Sequence, residues 1–107
     1  MTEEIKSQYI NAFPAFISCF LKKMKEDTGL PVVRLAEESK ISRPIIYRWM
    51  RECSFPKPKS LCTFFYHLIS LVEKDEITRQ EKVRELMSEA YQCILIDFHE
   101  RKEHTFC

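Results

Sequence analysis

Arginine at positions 43, 48 and 51 and lysine at positions 40, 57 and 59 put six cations into residues 40–59, against the single acid Glu52. The local balance is +5, whereas residues 1–39 carry −1 and residues 60–107 carry −3, so a net charge of +1 hides one strongly basic stretch. A concentrated run of cations is the footprint that a polyanion requires. Arginine adds geometry to charge. Its planar fork bonds bidentately to a guanine edge, worth about 1–3 kcal/mol of discrimination, or to a phosphate. Other chemistries find no support. With Gly29 as the one glycine, neither a GxGxxG nor a GxxxxGK phosphate loop can be written. No Ser/His/Asp or Cys/His set and no pair of carboxylates stands at interpretable spacing, so the chain does not read as an enzyme. The five cysteines (Cys19, Cys53, Cys62, Cys93, Cys107) form no CxxC, and with His67, His99 and His104 they show no paired ligand spacing. No metal and no cofactor is expected. Unpaired thiols in odd number fit a reducing, cytoplasmic setting.

The cations need a rigid support, and the sequence supplies one. Ser42 reads as an N-cap and Pro44 as a first-turn proline, opening a helix over about 42–52 that carries Ile45, Ile46, Trp49 and Met50. Before it, Pro31 to Ser39 reads as a short helix with Leu35 and Ala36 facing inward, and Lys40-Ile41 breaks the two apart. Two short helices joined by a tight turn, the second basic, form a helix-turn-helix. Ala36 is the small residue needed where they touch, and Ile41, Ile46 and Trp49 hold the second helix from beneath. Ser42, Arg43, Tyr47, Arg48 and Arg51 are then expected on the outward side. Arg43, Tyr47 and Arg48 are the candidates for base contacts, and Lys40, Ser42, Arg51, Lys57 and Lys59 for phosphate contacts. The two last lysines fall in the proline-broken stretch Phe55 to Lys59.

The flanking segments are also helical. Ile5, Tyr9, Phe13, Phe16, Ile17, Phe20, Leu21 and Met24 recur at three- and four-residue steps. Pro14 implies either a short helix before a main one or a bend. Gly29 and Pro31 end the pattern. Ser60 looks like a further N-cap, before Leu61, Phe64, Phe65, Leu68, Ile69 and Val72. Lys74 to Ile77 reads as a connector, and Thr78 with Glu81 as a capping box. Beyond it Val83, Leu86, Met87, Ala90, Tyr91, Ile94 and Phe98 keep helical spacing. Cys93, Leu95 and Ile96 make residues 90–98 apolar almost all round. A helix of that kind is buried on more than one side, so Met87, Ala90, Tyr91, Ile94, Leu95 and Phe98 are expected at a dimer interface. The rival reading of Tyr91 to Phe98 is a strand. Residues 1–75 thus read as the domain carrying the basic helix and residues 76–107 as a C-terminal dimerisation element.

Leu-Ala-Glu-Glu-Ser-Lys-Ile-Ser-Arg-Pro-Ile-Ile-Tyr-Arg-Trp, Leu35 to Trp49, resembles the lambda-repressor-like, or Xre/Cro-type, helix-turn-helix family. The likeness lies in its Leu-Ala dipeptide, the Ile-Ser-Arg-Pro opening of the second helix and the Ile-x-x-Trp anchor. It extends over about residues 16–71, with Phe16 to Asp27 and Ser60 to Leu71 as the flanking helices. The resemblance implies an all-α bundle of five short helices, a cytoplasmic DNA-binding regulator, dimerisation and a palindromic operator in double-stranded DNA. Two positions depart from the family. Its turn glycine is Lys40 here, and its polar Thr-Gln-type pair at the start of the first motif helix is Val32-Val33, which lacks the glutamine that touches phosphate.

No apolar run approaches the roughly 20 residues that span a membrane, and Met1 to Ser7 does not read as a signal peptide. The expected function is therefore a homodimeric, sequence-specific transcriptional regulator, a repressor of phage-like or mobile-element type. The alternative is an antirepressor or inhibitor that uses the same fold to grip another regulatory protein. A third reading is an assembly adaptor built on the C-terminal helix.

Overall fold

The computed structural model describes residues 11–52 and 54–106, with side chains as far as residue 99. The described residues form an all-helical fold. In the described residues five helices follow one another: α1 (Ala12–Thr28), α2 (Val32–Ser39), α3 (Arg43–Arg51), α4 (Pro58–Val72) and α5 (Glu76–Phe106). The expected apolar positions at Ile5 and Tyr9 lie outside the described residues, as do Cys53 and Cys107.

Pro14 falls in the first turn of α1, where its missing N–H would have no acceptor within the helix. Gly29 ends α1 with φ 75°, and its N–H donates to the Lys25 carbonyl at 2.8 Å. That left-handed cap suits glycine. The Thr28 hydroxyl donates to the Met24 carbonyl at 2.7 Å and accepts from the Leu30 N–H at 3.1 Å, which turns the chain toward α2. Pro31 then stands in the N-cap position of α2, one residue outside the helix rather than within it.

The core is an aromatic stack between α1 and α4. The Phe20 ring lies 5.1 Å from Phe65 at 87° and 5.7 Å from Phe64 at 56°. Such edge-on pairs add about 0.5–1.5 kcal/mol each beyond the area they bury. Leu35 and Ala36 of α2, Ile46 and Trp49 of α3, and Val83, Ala90 and Ile94 of α5 close the same cluster. The five helices therefore share one core, and the C-terminal helix is not set apart from it.

Helix α5 has 31 residues, roughly 46 Å at 1.5 Å per residue, which accounts for the 48 Å long dimension of the molecule. Residues 91–98 are helix, not strand. Asp97, only 3% exposed, reaches the start of α1: its Oδ1 accepts from the Ala12 N–H at 2.7 Å and its Oδ2 from the Phe13 N–H at 2.9 Å. A residue 84–85 positions away thus caps α1, while Asn11 in the N-cap position makes no side-chain cap bond.

Several helix starts differ from the sequence expectation. Ser60 is the third residue of α4, not its cap; α4 begins at Pro58, whose fixed φ suits a first position. Helix α5 begins at Glu76, inside the expected connector, because Asp75 rather than Thr78 caps it. The Asp75 carboxylate accepts from the Thr78 N–H at 2.9 Å and from its hydroxyl at 2.8 Å. These bonds hold the Asp75 carboxyl below its usual range. Behind the cap, Arg79 pairs with Glu76 and lies over the Tyr66 ring at 5.4 Å, fastening α5 to α4.

Candidate nucleic-acid interface

Helix α3 is held from below by two side chains one turn apart. Ile46 is buried, and Trp49 sits with its ring 5.4 Å from Phe64 at 89° and 6.4 Å from Phe13 at 65°. The rings come from α4 and α1, so both long neighbours fix the angle of α3. Ile41, half-buried, packs against the same cluster. Removing the indole would leave a cavity costing about 3–5 kcal/mol. Leu35 and Ala36 of α2 are buried in the same core cluster. All five residues expected to hold the motif together are brought to this one place.

The turn between α2 and α3 works without glycine. Lys40 adopts φ 67° and ψ 14°, the left-handed conformation, and its N–H donates to the Glu37 carbonyl at 3.3 Å. Ser39 makes this possible. Its buried hydroxyl donates to the Ala36 carbonyl at 2.7 Å and accepts from the Ile41 N–H at 3.2 Å, satisfying backbone groups on both sides of the left-handed residue. Sequence reading missed Ser39 because it stands in a polar run with no hydrophobic spacing to mark it.

With Ile46 and Trp49 inward, the helical repeat puts Pro44, Arg48 and Arg51, at steps of four and three, on the opposite stripe. All three are exposed. Arg43 and Tyr47 share a flank; Arg43 is exposed and Tyr47 half-buried. Ile45, carried by the same helix but not among its expected anchors, is 38% exposed, because Ile46 and Trp49 already fill the inward stripe. Lys40, Ser42, Lys57 and Lys59 are exposed as well. Ser42 stands in the N-cap position of α3, but its side chain makes no cap bond. Lys57 and Lys59 do not lie in a free loop: Lys57 is the N-cap residue of α4 and Lys59 lies in its first turn, which holds no acid. Cations there oppose the helix dipole, so α4 itself gains nothing from them.

Among the described residues, the salt bridges join Arg34, Arg79 and Lys82 to neighbouring glutamates, and none involves Lys40, Arg43, Arg48, Arg51, Lys57 or Lys59. The six cations of the basic stretch are therefore exposed and not neutralised by a described carboxylate. An open hollow of about 370 Å³ lies against the turn, with Lys40 and Arg43 on its rim. Among the described residues no group of three or more His, Cys, Asp or Glu is placed to hold a metal ion.

The expected dimer residues divide. Ala90 and Ile94 are buried in the chain's own core, and Met87 and Tyr91 pack partly against it. Leu95 and Phe98 are 62% and 50% exposed. The apolar girth of residues 90–98 thus divides: one face is intramolecular, and Leu95 and Phe98, three residues apart, form an outer stripe beside the half-buried Tyr91. Phe55, after α3, joins that stripe with its ring 5.4 Å from Phe98 at 68°. No helix among the described residues is long and apolar enough to cross a membrane.

Comparison with known proteins finds no matching family model, no matching curated protein and no matching solved structure.

Proposed function

We propose that the protein is a lambda-repressor-like helix-turn-helix regulator that inserts α3 into the major groove of double-stranded DNA as a homodimer on a palindromic site. One observation carries this reading: Arg43, Arg48 and Arg51 stand exposed and outside any described salt bridge on a helix clamped by Ile46 and Trp49. A helix of about 10–12 Å diameter fits a major groove about 12 Å wide. Arg43 and Arg48 take base edges with Tyr47 beside them. Lys40, Ser42, Arg51, Lys57 and Lys59 take phosphates on either side of the inserted helix. The lysines at the start of α4, unfavourable for that helix alone, gain a partner in such a complex. The outer stripe of Leu95 and Phe98, with Phe55, supplies the apolar surface for the second copy.

The test is selection of duplexes from a random pool, followed by gel-shift with the wild type and with Arg43→Ala combined with Arg48→Ala. The double variant is expected to bind the selected duplex about a hundredfold more weakly, from two lost bidentate contacts. Equal binding by both proteins removes the base-contact assignment.

A second reading has one observation of its own. Val33, where the family carries a phosphate-binding glutamine, is exposed and apolar. A protein partner rather than DNA suits that surface. This reading gains if no duplex is selected at low salt and a partner co-purifies through α2.

A further inference from the structure

We infer that Ile45, with Pro44 beside it, reads the 5-methyl group of a thymine that neighbours the guanine taken by Arg48. The inference rests on the DNA-binding reading above and adds to it a base that no hydrogen-bonding side chain recognises. Ile45 is 38% exposed on the half of α3 nearest the turn, where the other exposed residues are Ser42, Arg43 and Pro44. Folding does not call for an isoleucine there. The inward position is filled by Ile46, 1% exposed, and a β-branched residue is a poorer helix former than alanine, lysine or glutamine. An isoleucine side chain can neither bond a phosphate nor take a base edge by hydrogen bonds. In the major groove the thymine methyl is the one apolar group that the four bases present. Ile45 lies one turn from Arg48, and Pro44 lies four residues from it on the same outward side, so a methyl held by the apolar pair sits beside the base held by the guanidinium. The exposed cations around the pair keep its surroundings suited to a polyanion rather than to an apolar protein surface.

The experiment uses the full chain and the duplex it selects, with each thymine replaced in turn by uracil, which differs only by the missing methyl. At one position in each half-site the wild type is expected to lose about fourfold in affinity, the value of one buried methyl-sized group. Ile45→Ala is expected to bind the thymine and uracil duplexes equally. Ile45→Val, which keeps a branched apolar tip, retains most of the difference. Far-UV circular dichroism checks that both variants keep the fold, as an exposed helical site permits. If uracil is tolerated at every position while the duplex is still bound specifically, the methyl contact is wrong and the DNA-binding reading stands. If the thymine preference persists in Ile45→Ala, another residue reads the methyl and the assignment is overturned. If no duplex is bound at all, both readings fall together.

Discussion

Lys40 carries two demands of opposite sign. Its left-handed backbone costs a non-glycine residue about 1–2 kcal/mol, yet its ammonium stands at the edge of the proposed interface. Lys40→Gly is therefore expected to raise the urea midpoint, by about 1 kcal/mol of stability, while weakening DNA binding and flattening its salt dependence. A drop in stability would contradict the left-handed turn. The departure from glycine was visible in the sequence; its remedy was not. The bonds of Ser39 exist only once the turn has formed, and nothing in the spacing of Glu37, Glu38 and Ser39 announces them. Of the two adjacent isoleucines, the step of three to Trp49 marks Ile46 as the inward one, and Ile45 is left exposed. By contrast, Leu35, Ala36, Ile41, Ile46 and Trp49 were legible, because their apolar spacing is itself the signal that folds the segment.

Among the elements, α5 shows most clearly where sequence reading stops. Its helical character follows from periodicity, but Ala90 and Ile94, expected at a dimer interface, lie in the chain's own core with Val83. The apolar girth of residues 90–98 suggested burial on two sides, and the first of those sides proved to be the chain's own α1 and α4. Asp97 carries no signal in the helical spacing. It serves as the cap of α1, a pairing across 84–85 residues that no local pattern encodes. Because α1 also supplies Phe13 to the Trp49 pocket, this carboxylate fixes the end of the helix on which α3 leans. Asp97→Ala leaves the buried Phe13 N–H and the part-buried Ala12 N–H without this acceptor and is expected to cost about 2 kcal/mol, read as a lower urea midpoint. Asp97→Asn, which keeps one acceptor oxygen, should lose less. An unchanged midpoint in both variants would mean that the α1–α5 contact contributes nothing to the fold.

For the whole molecule, charge and symmetry make a joint prediction. Lys40, Arg51, Lys57 and Lys59 are the cations assigned to phosphates, and a dimer presents them twice. Neutralising about eight phosphates gives a slope near −7 in a plot of log affinity against log salt concentration, at about −0.9 per contact. A two-fold dimer also requires half-sites about 34–36 Å apart along the duplex. In the proposed dimer both properties would depend on the outer stripe of α5, since the inner face is already occupied. Phe98→Glu places a charge beside Phe55 and leaves the buried residues Ala90 and Ile94 unchanged, so the helices should persist while light scattering reports a monomer. That monomer is expected to lose the palindromic preference and to show about half the salt slope, because each protomer then neutralises only its own phosphates. Full slope and full affinity in a monomeric Phe98→Glu protein would show that one copy suffices, and would place the exposed aromatic pair outside the DNA-binding assembly.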